Sequence, residues 1–441
     1  MLKTKSIKAR TYFVLFCAYY VFATYLIPSS GIVEKYSMQY FAIIVPSWIF
    51  IIINFKRLFR EGGFLVNLWW LFVISMLIVA VLQPSLSVAY NGLYFGLLAI
   101  AIISTRGFLK TSEINILFLL LLIGSIVSYV LGVTDYGFLP GQADATGCHK
   151  SLSYRVSLFR VPSESAAFSL FVLVWNVFHP LERPSWSRWI FILLSIYFVL
   201  FSGIRTAYIS LLVISPILIY NLLPRWSFVK RIATMLSGSL IAVCIVFLIS
   251  DGFASSTMRD FILKYFIRAD TCAAIQDKSA NVVAQERFGK YMPNSPFEYV
   301  STQWLEKTIN RHCAIGYQLK LFFTNPIVGN HYVRPQTVEQ IAMADCAPDL
   351  IDRFCESCVL STYWLSRTGL AGFVLITIYF VGLVLSILCG SGLVFCCFLA
   401  FGIFLQGWGV MFTPYNFVFY ILISLVSMGK LNKYSRNRMV A

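Results

Sequence analysis

Long apolar stretches separated by short polar segments form the main pattern of this chain. A helix needs about 20 mostly apolar residues to cross a bilayer. Twelve stretches meet this need, centred near residues 20, 46, 73, 96, 123, 172, 195, 214, 240, 378, 400 and 421. The first follows a basic tail and could imitate a signal peptide, but the alternation of the later segments favours a retained span. We therefore expect an all-α polytopic membrane protein with about 12 transmembrane helices.

The polar segments divide the chain into five parts. Residues 1–133 hold spans 1–5, 134–163 form a first loop on the outer side, and 164–250 hold spans 6–9. Residues 251–358 form one large outer loop, and 359–441 hold spans 10–12 and a cytoplasmic C-terminal tail. Because connections between spans need only a few residues, the size of the 251–358 loop indicates chemistry or recognition on that side of the membrane.

Helical signals occur inside this large loop. As a helix, residues 259–268 would place apolar side chains on one side and basic side chains on the other, which suits a helix lying on the membrane surface. Asn294-Ser295-Pro296 has the pattern of a helix start. That helix should end at Asn325-Pro326, because proline disfavours helical backbone in the residue before it. The loop is thus predicted to be partly helical.

The positive charge of the chain has a membrane explanation. Residues of the AVILMFWYC set make up 59% of the sequence, 12% are charged, and the net charge is +16. If the N-terminus is cytoplasmic and the chain alternates sides, the inner face carries 18 basic and three acidic residues, and the outer face 17 and 16. This distribution follows the positive-inside rule. It predicts two cytoplasmic termini and gives no indication of a nucleic-acid partner.

The cysteines divide by location. Of the 11 cysteines, six lie outside the predicted spans and could form up to three disulfides in an oxidising compartment. Cys355 and Cys358 have the spacing of a redox motif, although structural thiols or disulfides are the favoured interpretation. A zinc site is not indicated, because the histidines lack ligand spacing. The six cysteines are Cys148, Cys272, Cys313, Cys346, Cys355 and Cys358.

Three arginines on the predicted outer face are the main chemical candidates. Arg160 precedes the sixth span, Arg205 lies in the turn between spans seven and eight, and Arg311 lies in the large loop. A guanidinium group stays charged and binds pairs of phosphate oxygens in a bidentate manner. The alternative is that each arginine extends to lipid headgroups. Glu164 follows Arg160 by one helical turn, as an ion-pair partner or a general base.

Weaker candidates for substrate binding are His331, Arg334 and Glu356, each of which is more often an ordinary surface residue. Trp304 and Trp364 could stack on a sugar ring, although aromatic residues are also expected at a membrane interface. No nucleotide-binding or metal-binding motif occurs in the sequence. We therefore expect no cofactor and no metal.

Several of these segments together resemble the O-antigen polymerase and ligase superfamily of bacterial inner membranes. Phe159-Arg160-Val161-Pro162-Ser163-Glu164 is similar to the family's Arg-then-Glu-Pro stretch before a span, although the order of Glu and Pro differs here. Phe201-Ser202-Gly203-Ile204-Arg205-Thr206 is similar to the family's Ser-Arg turn. Residues 323–330 resemble its Asn-Pro-x-x-Gly-x-Gly element, and 368–372 match the Gly-x-x-Gly that opens the next span. The closing segment 408–420 is also similar.

Departures from the family pattern indicate the subfamily. Ile204 stands where serine is usual, and His331 replaces or shifts the second glycine of the Asn-Pro element. Ligases carry a His-Asn pair where this chain has Cys358 and Val359, so the resemblance implies a polymerase. If the alignment shifts by two residues, Glu356 is the nearest substitute base.

The resemblance implies transfer of a growing glycan from undecaprenyl diphosphate to a lipid-linked repeat unit at the periplasmic face, within lipopolysaccharide biosynthesis. Arg160, Arg205 and Arg311 would stabilise the leaving diphosphate, and Glu164 would act as a base or orient an arginine. A chain-length regulator and a flippase of the same pathway would be protein partners. Three alternatives stay open: an O-antigen ligase, a lipid-linked oligosaccharide flippase or other transporter, and a non-catalytic scaffold.

Overall fold

A computed structural model describes part of the chain. The described residues are 45, 49, 51–53, 64–85, 88–89, 91–93, 96, 111–130, 156–158, 162–178, 186–202, 204–222, 234, 314–330, 360–388 and 392–405. Within these ranges the backbone is helical or forms connecting turns, and none of them contains a β-strand. The expected all-α class is therefore confirmed for this part of the protein.

Among the described residues, eight helices have defined ends, and a further helical run covers residues 314–324. The eight are α1 (Phe64–Leu82), α2 (Thr111–Val130), α3 (Pro162–Phe178), α4 (Trp186–Leu200), α5 (Arg205–Leu222), α6 (Leu360–Thr368), α7 (Leu370–Leu388) and α8 (Gly392–Leu405).

Seven of these helices lie on predicted apolar stretches, those centred near residues 73, 123, 172, 195, 214, 378 and 400. The stretches near 20 and 421 are outside the described residues, and those near 46, 96 and 240 are described at only a few positions. The short helix α6 was not predicted. It is separated from α7 by Gly369, whose φ of 55° ends the helical path.

Helices α1 and α7 are apolar on both faces. In α1, Trp69, Phe72 and Met76 are buried, whereas Ile74 and Ile78 on another face are exposed. Helices α1 and α7 are long and apolar enough to cross a membrane by length and composition. Since a helix that is apolar all round and not fully buried needs an apolar surrounding, these helices favour a membrane protein.

Helix α3 lies at the centre of the described bundle, in contact with α2, α4, α5 and α8. A group of aromatic rings joins α2, α3 and α4, in which Phe118 packs edge-to-face on Phe191 and Phe198 and stacks near Phe168. Helix α7 packs against α1 and α8. The core is therefore built by side chains of several apolar helices.

One end of this bundle collects the ends of four helices. Helices α7 and α8 run antiparallel, with Gly382 against the ring of Phe398. Gly392, at the start of α8, lies against Phe178 at the end of α3. The first turn of α7 therefore lies at the same end as the first turns of α3 and α5. The last turn of α1 joins them, because Gln83 bonds to the same turn of the chain as the start of α7. We name this region the convergent end.

Candidate functional site

Two segments that are far apart in sequence are joined at the convergent end. The first is the turn at residues 325–330, and the second is the connection between α6 and α7. The N–H of Asn330 donates to the carbonyl oxygen of Ser366 at 2.8 Å, and the N–H of Leu370 donates to that of Ile327 at 3.1 Å. Backbone hydrogen bonds in both directions thus fix the turn on the start of α7.

Two glycines allow this close contact. Gly329 has a φ of 79° and Gly369 a φ of 55°, both in the left-handed region that side-chain-bearing residues avoid. A Cβ atom on Gly329 would lie 2.5 Å from the carbonyl carbon of Arg367. One on Gly369 would lie 2.6 Å from the carbonyl oxygen of Ile327. Each glycine is therefore required by its backbone angle and by the neighbouring main chain.

The end of α1 also holds the turn. The side-chain amide of Gln83 donates hydrogen bonds to the carbonyl oxygens of Val328, at 3.1 Å, and of Gly329. Because both partners are acceptors, the nitrogen of the amide must face them. Three helices, α1, α6 and α7, are thus tied to one turn of the predicted large loop.

The predicted helix end at Asn325-Pro326 is confirmed, since the helical run stops at residue 324. The start predicted at residues 294–296 is outside the described residues. At the observed end, the side chains of Thr324 and Asn330 both donate to the carbonyl oxygen of Leu321, at 2.6 and 2.8 Å. These bonds satisfy a carbonyl that the helix itself leaves without a partner.

Arg367 is a cation of the site that the sequence interpretation missed. It lies in the last turn of α6 and is partly exposed. Its guanidinium group donates a hydrogen bond to the hydroxyl of Tyr363, and its central carbon lies 5.6 Å from the centre of that ring. The signal available in the sequence was an arginine directly before the Thr368-Gly369 element. The contact between the backbone of Arg367 and Gly329 depends on tertiary structure.

A hydrogen bond between polar side chains links α6 to the helical run at 314–324. The hydroxyl of Thr362 donates to the side-chain oxygen of Gln318 at 2.6 Å, and Gln318 is buried. Tyr317 is also buried, and this burial raises the pKa of its phenol above the ordinary value. The phenol is therefore neutral over the physiological range of pH.

A second junction at the convergent end joins the flanks of the two arginine motifs. The N–H of Val156 donates to the carbonyl oxygen of Phe201 at 2.8 Å. The N–H of Leu158 donates to the hydroxyl oxygen of Ser165 at 2.8 Å. The segment before Arg160 is therefore bound both to the first turns of α3 and to the turn that precedes α5.

The turn before α5 has the predicted tight form. Ser202 donates its hydroxyl hydrogen to the carbonyl oxygen of Val199 at 2.7 Å and accepts the N–H of Ile204 at 3.2 Å. Arg205 is the first residue of α5. The turn thus positions the backbone of Arg205 at the convergent end.

The structure describes the predicted site residues unequally. Arg205 and Glu164 lie in the first turns of α5 and α3, and for both the backbone alone is described. The other six, Arg160, Arg311, Trp304, His331, Arg334 and Glu356, are outside the described residues. So are the six cysteines predicted to be external, whereas Cys396 and Cys397 of α8 are buried free thiols.

The interpretation of Trp364 as a platform for a sugar ring is wrong. Its side chain is buried, with 6% of its surface exposed, and it packs edge-to-face on Tyr363. A buried indole presents no open face on which a sugar ring could stack. Trp364 therefore belongs to the core that supports the site.

No family model matches this chain, and no curated protein matches it in sequence.

Proposed function

We propose that this protein is a polysaccharide polymerase that transfers a growing glycan from undecaprenyl diphosphate to a lipid-linked repeat unit. The observation that carries the proposal is the contact of the 325–330 turn with the start of α7. These two segments carry separate parts of the resemblance, and nothing in their sequence spacing requires them to touch. Their union, with glycine at both contact points, is what a shared site needs.

The proposed topology has twelve spans, both termini in the cytoplasm and the convergent end facing the periplasm of a bacterial inner membrane. Its support is that the described connecting segments at this end all fall on the outer side when the spans alternate. These segments are residues 83–85, 156–158, 201–202, 204 and 314–330. The positive-inside distribution of basic residues agrees with this orientation.

In the proposed reaction, a hydroxyl of the acceptor repeat unit attacks the anomeric carbon of the donor glycan. The bond between that carbon and the diphosphate oxygen breaks, and undecaprenyl diphosphate leaves with the electron pair. The hydroxyl proton passes to a base, for which Glu164 is the candidate at the first turn of α3. Arg160, Arg205 and Arg311 would stabilise the charge on the leaving diphosphate, as fixed cations do in other transfer reactions.

The distribution of charge in the helices favours this function over transport. A transporter for a charged lipid-linked sugar would place charged residues along an internal path. In the eight helices with defined ends, charged residues occur only near those ends. They are Glu113, Glu164, Arg188, Arg205 and Arg367.

The test is the glycan ladder of a deletion strain that carries either the wild-type chain or Arg205→Ala. We expect the variant to lose all products longer than one repeat unit while protein level and single-repeat products persist. Loss of a ligase activity would instead leave polymer on the lipid carrier and none on lipid A. Loss of a flippase activity would leave the repeat unit on the cytoplasmic side. Normal ladder length in the variant would reject the role of Arg205.

A further inference from the structure

Four large apolar side chains at the convergent end form one exposed surface. Phe323 is 74% exposed, Ile327 67%, Leu370 52% and Phe373 55%. The hydrogen bond from Leu370 to Ile327 joins the two parts of this surface, which we name the turn surface. Contiguous exposed apolar groups of this kind usually mark a contact with a partner or with a membrane.

The lengths of two helices locate the turn surface relative to the bilayer. Helices α1 and α7 have 19 residues each. At 1.5 Å per residue each is about 28 Å long, close to the roughly 30 Å of a hydrocarbon core. The last residue of α1 and the first of α7 therefore lie at the boundary of that core. Gln83 and Leu370 both bond to the turn, so the turn lies at the same boundary.

The turn surface continues an apolar face on both helices. Beyond Phe373, the exposed residues Phe380 and Val384 extend along α7, and Ile78 and Val81 extend along α1. These faces have a lipid environment if the two helices cross the membrane. No polar residue interrupts the exposed face between Leu370 and Phe373, as the intervening Ala371 and Gly372 are buried.

We infer that the turn surface inserts into the interfacial layer of the phospholipid bilayer and anchors the 314–330 segment there. Phe323 fits this role, because its exposed ring lies at this boundary, where an aromatic side chain can enter the acyl region. The C-terminal part of the large loop is thus bound to the membrane surface. The anchor is independent of the proposed enzymatic function.

Photo-crosslinking in native membranes tests the anchor on the full chain. Benzoylphenylalanine placed at 323 or at 327 should attach covalently to phospholipid acyl chains, as it should at the lipid-facing position 384. The matched control is position 325, because Asn325 is an exposed polar residue of the same turn. We expect adducts with phospholipid at least about fivefold more abundant at 323 and 327 than at 325.

Equal yields at all three turn positions would overturn the inference. So would adducts with peptides, either of this chain or of a second protein, because another occupant would then cover the turn surface. The replaced side chains are exposed, so the probe should not disturb packing, and the two positions are independent tests. Polymer length in the same strains reports separately on the proposed function.

Discussion

The backbone N–H of Leu370 donates to the carbonyl oxygen of Ile327 at 3.1 Å. Leu370 is the first residue of α7, and its N–H is one of those that no carbonyl of the same helix can reach. A turn of the long polar segment therefore completes the start of an apolar helix. Movement of the turn and movement of α7 are coupled through this bond.

The first prediction concerns the backbone at Gly329. Gly329→Ala should lower the free energy of unfolding by about 2–4 kcal/mol, because it combines a strained φ with contact against main-chain atoms. The matched control is Gly316→Ala in the preceding helical run, where a Cβ meets nothing within 4 Å. That change should be neutral or stabilise by up to about 1 kcal/mol. Thermal unfolding in detergent measures both, and equal melting temperatures would contradict the account.

The second prediction concerns the link between α1 and the turn. Gln83→Glu keeps the shape of the side chain but places an acceptor against the carbonyl oxygens of Val328 and Gly329. We expect the binding of the turn to the end of α1 to be weakened by about 1–3 kcal/mol of free energy. Hydrogen exchange of a peptide covering residues 322–330 should then be at least about fivefold faster.

The control for this measurement is Leu82→Ala, next to Gln83 but exposed on the bundle surface. It should leave exchange in the same peptide unchanged. If both variants exchange at the wild-type rate, Gln83 does not hold the turn.

A third prediction concerns the buried polar pair of the bundle core. Asn115 and Asn176 exchange side-chain hydrogen bonds at 3.1 and 2.9 Å between α2 and α3. Replacing either with alanine leaves the other amide partly unsatisfied in an apolar core. The double variant should therefore be less destabilised than the sum of the singles, with a coupling free energy of about 0.5–2 kcal/mol.

Asn221 provides the comparison for this cycle, because its amide bonds to Ile217 of its own helix. Alanine at 115 and at 221 should give additive losses in thermal unfolding. If the losses in unfolding free energy are additive for the 115/176 pair as well as for the 115/221 pair, the contact between Asn115 and Asn176 contributes little.

Local features of the chain were the predictable part of this structure. Apolar runs identify α1, α7 and most other helices, because helix formation in such runs needs no information from distant residues. Asn325-Pro326 ends its helix as expected, since the restriction imposed by proline acts on the neighbouring residue. The tight turn at 201–204 is local for the same reason.

Contacts between segments that are distant in the chain could not be predicted from one sequence. The hydrogen bonds of Gln83 to the turn join residues far apart in the chain, and no periodic pattern marks them. The burial of Trp364 likewise results from tertiary packing, which its position in the sequence does not reveal. The indole was therefore predicted to be exposed to a sugar ring. Arg367 was missed because its place in the site comes from the packing of Gly329 against its backbone.

The most direct measurement uses the purified protein in nanodiscs with a synthetic lipid-linked repeat unit as the sole substrate. The account predicts a ladder of longer lipid-linked glycans and release of one undecaprenyl diphosphate for each bond formed. Arg205→Ala should form neither product, whereas Gly316→Ala should form both. Unchanged substrate with the folded wild-type protein, or transfer only after addition of a lipid A core acceptor, would contradict the assignment as a polymerase.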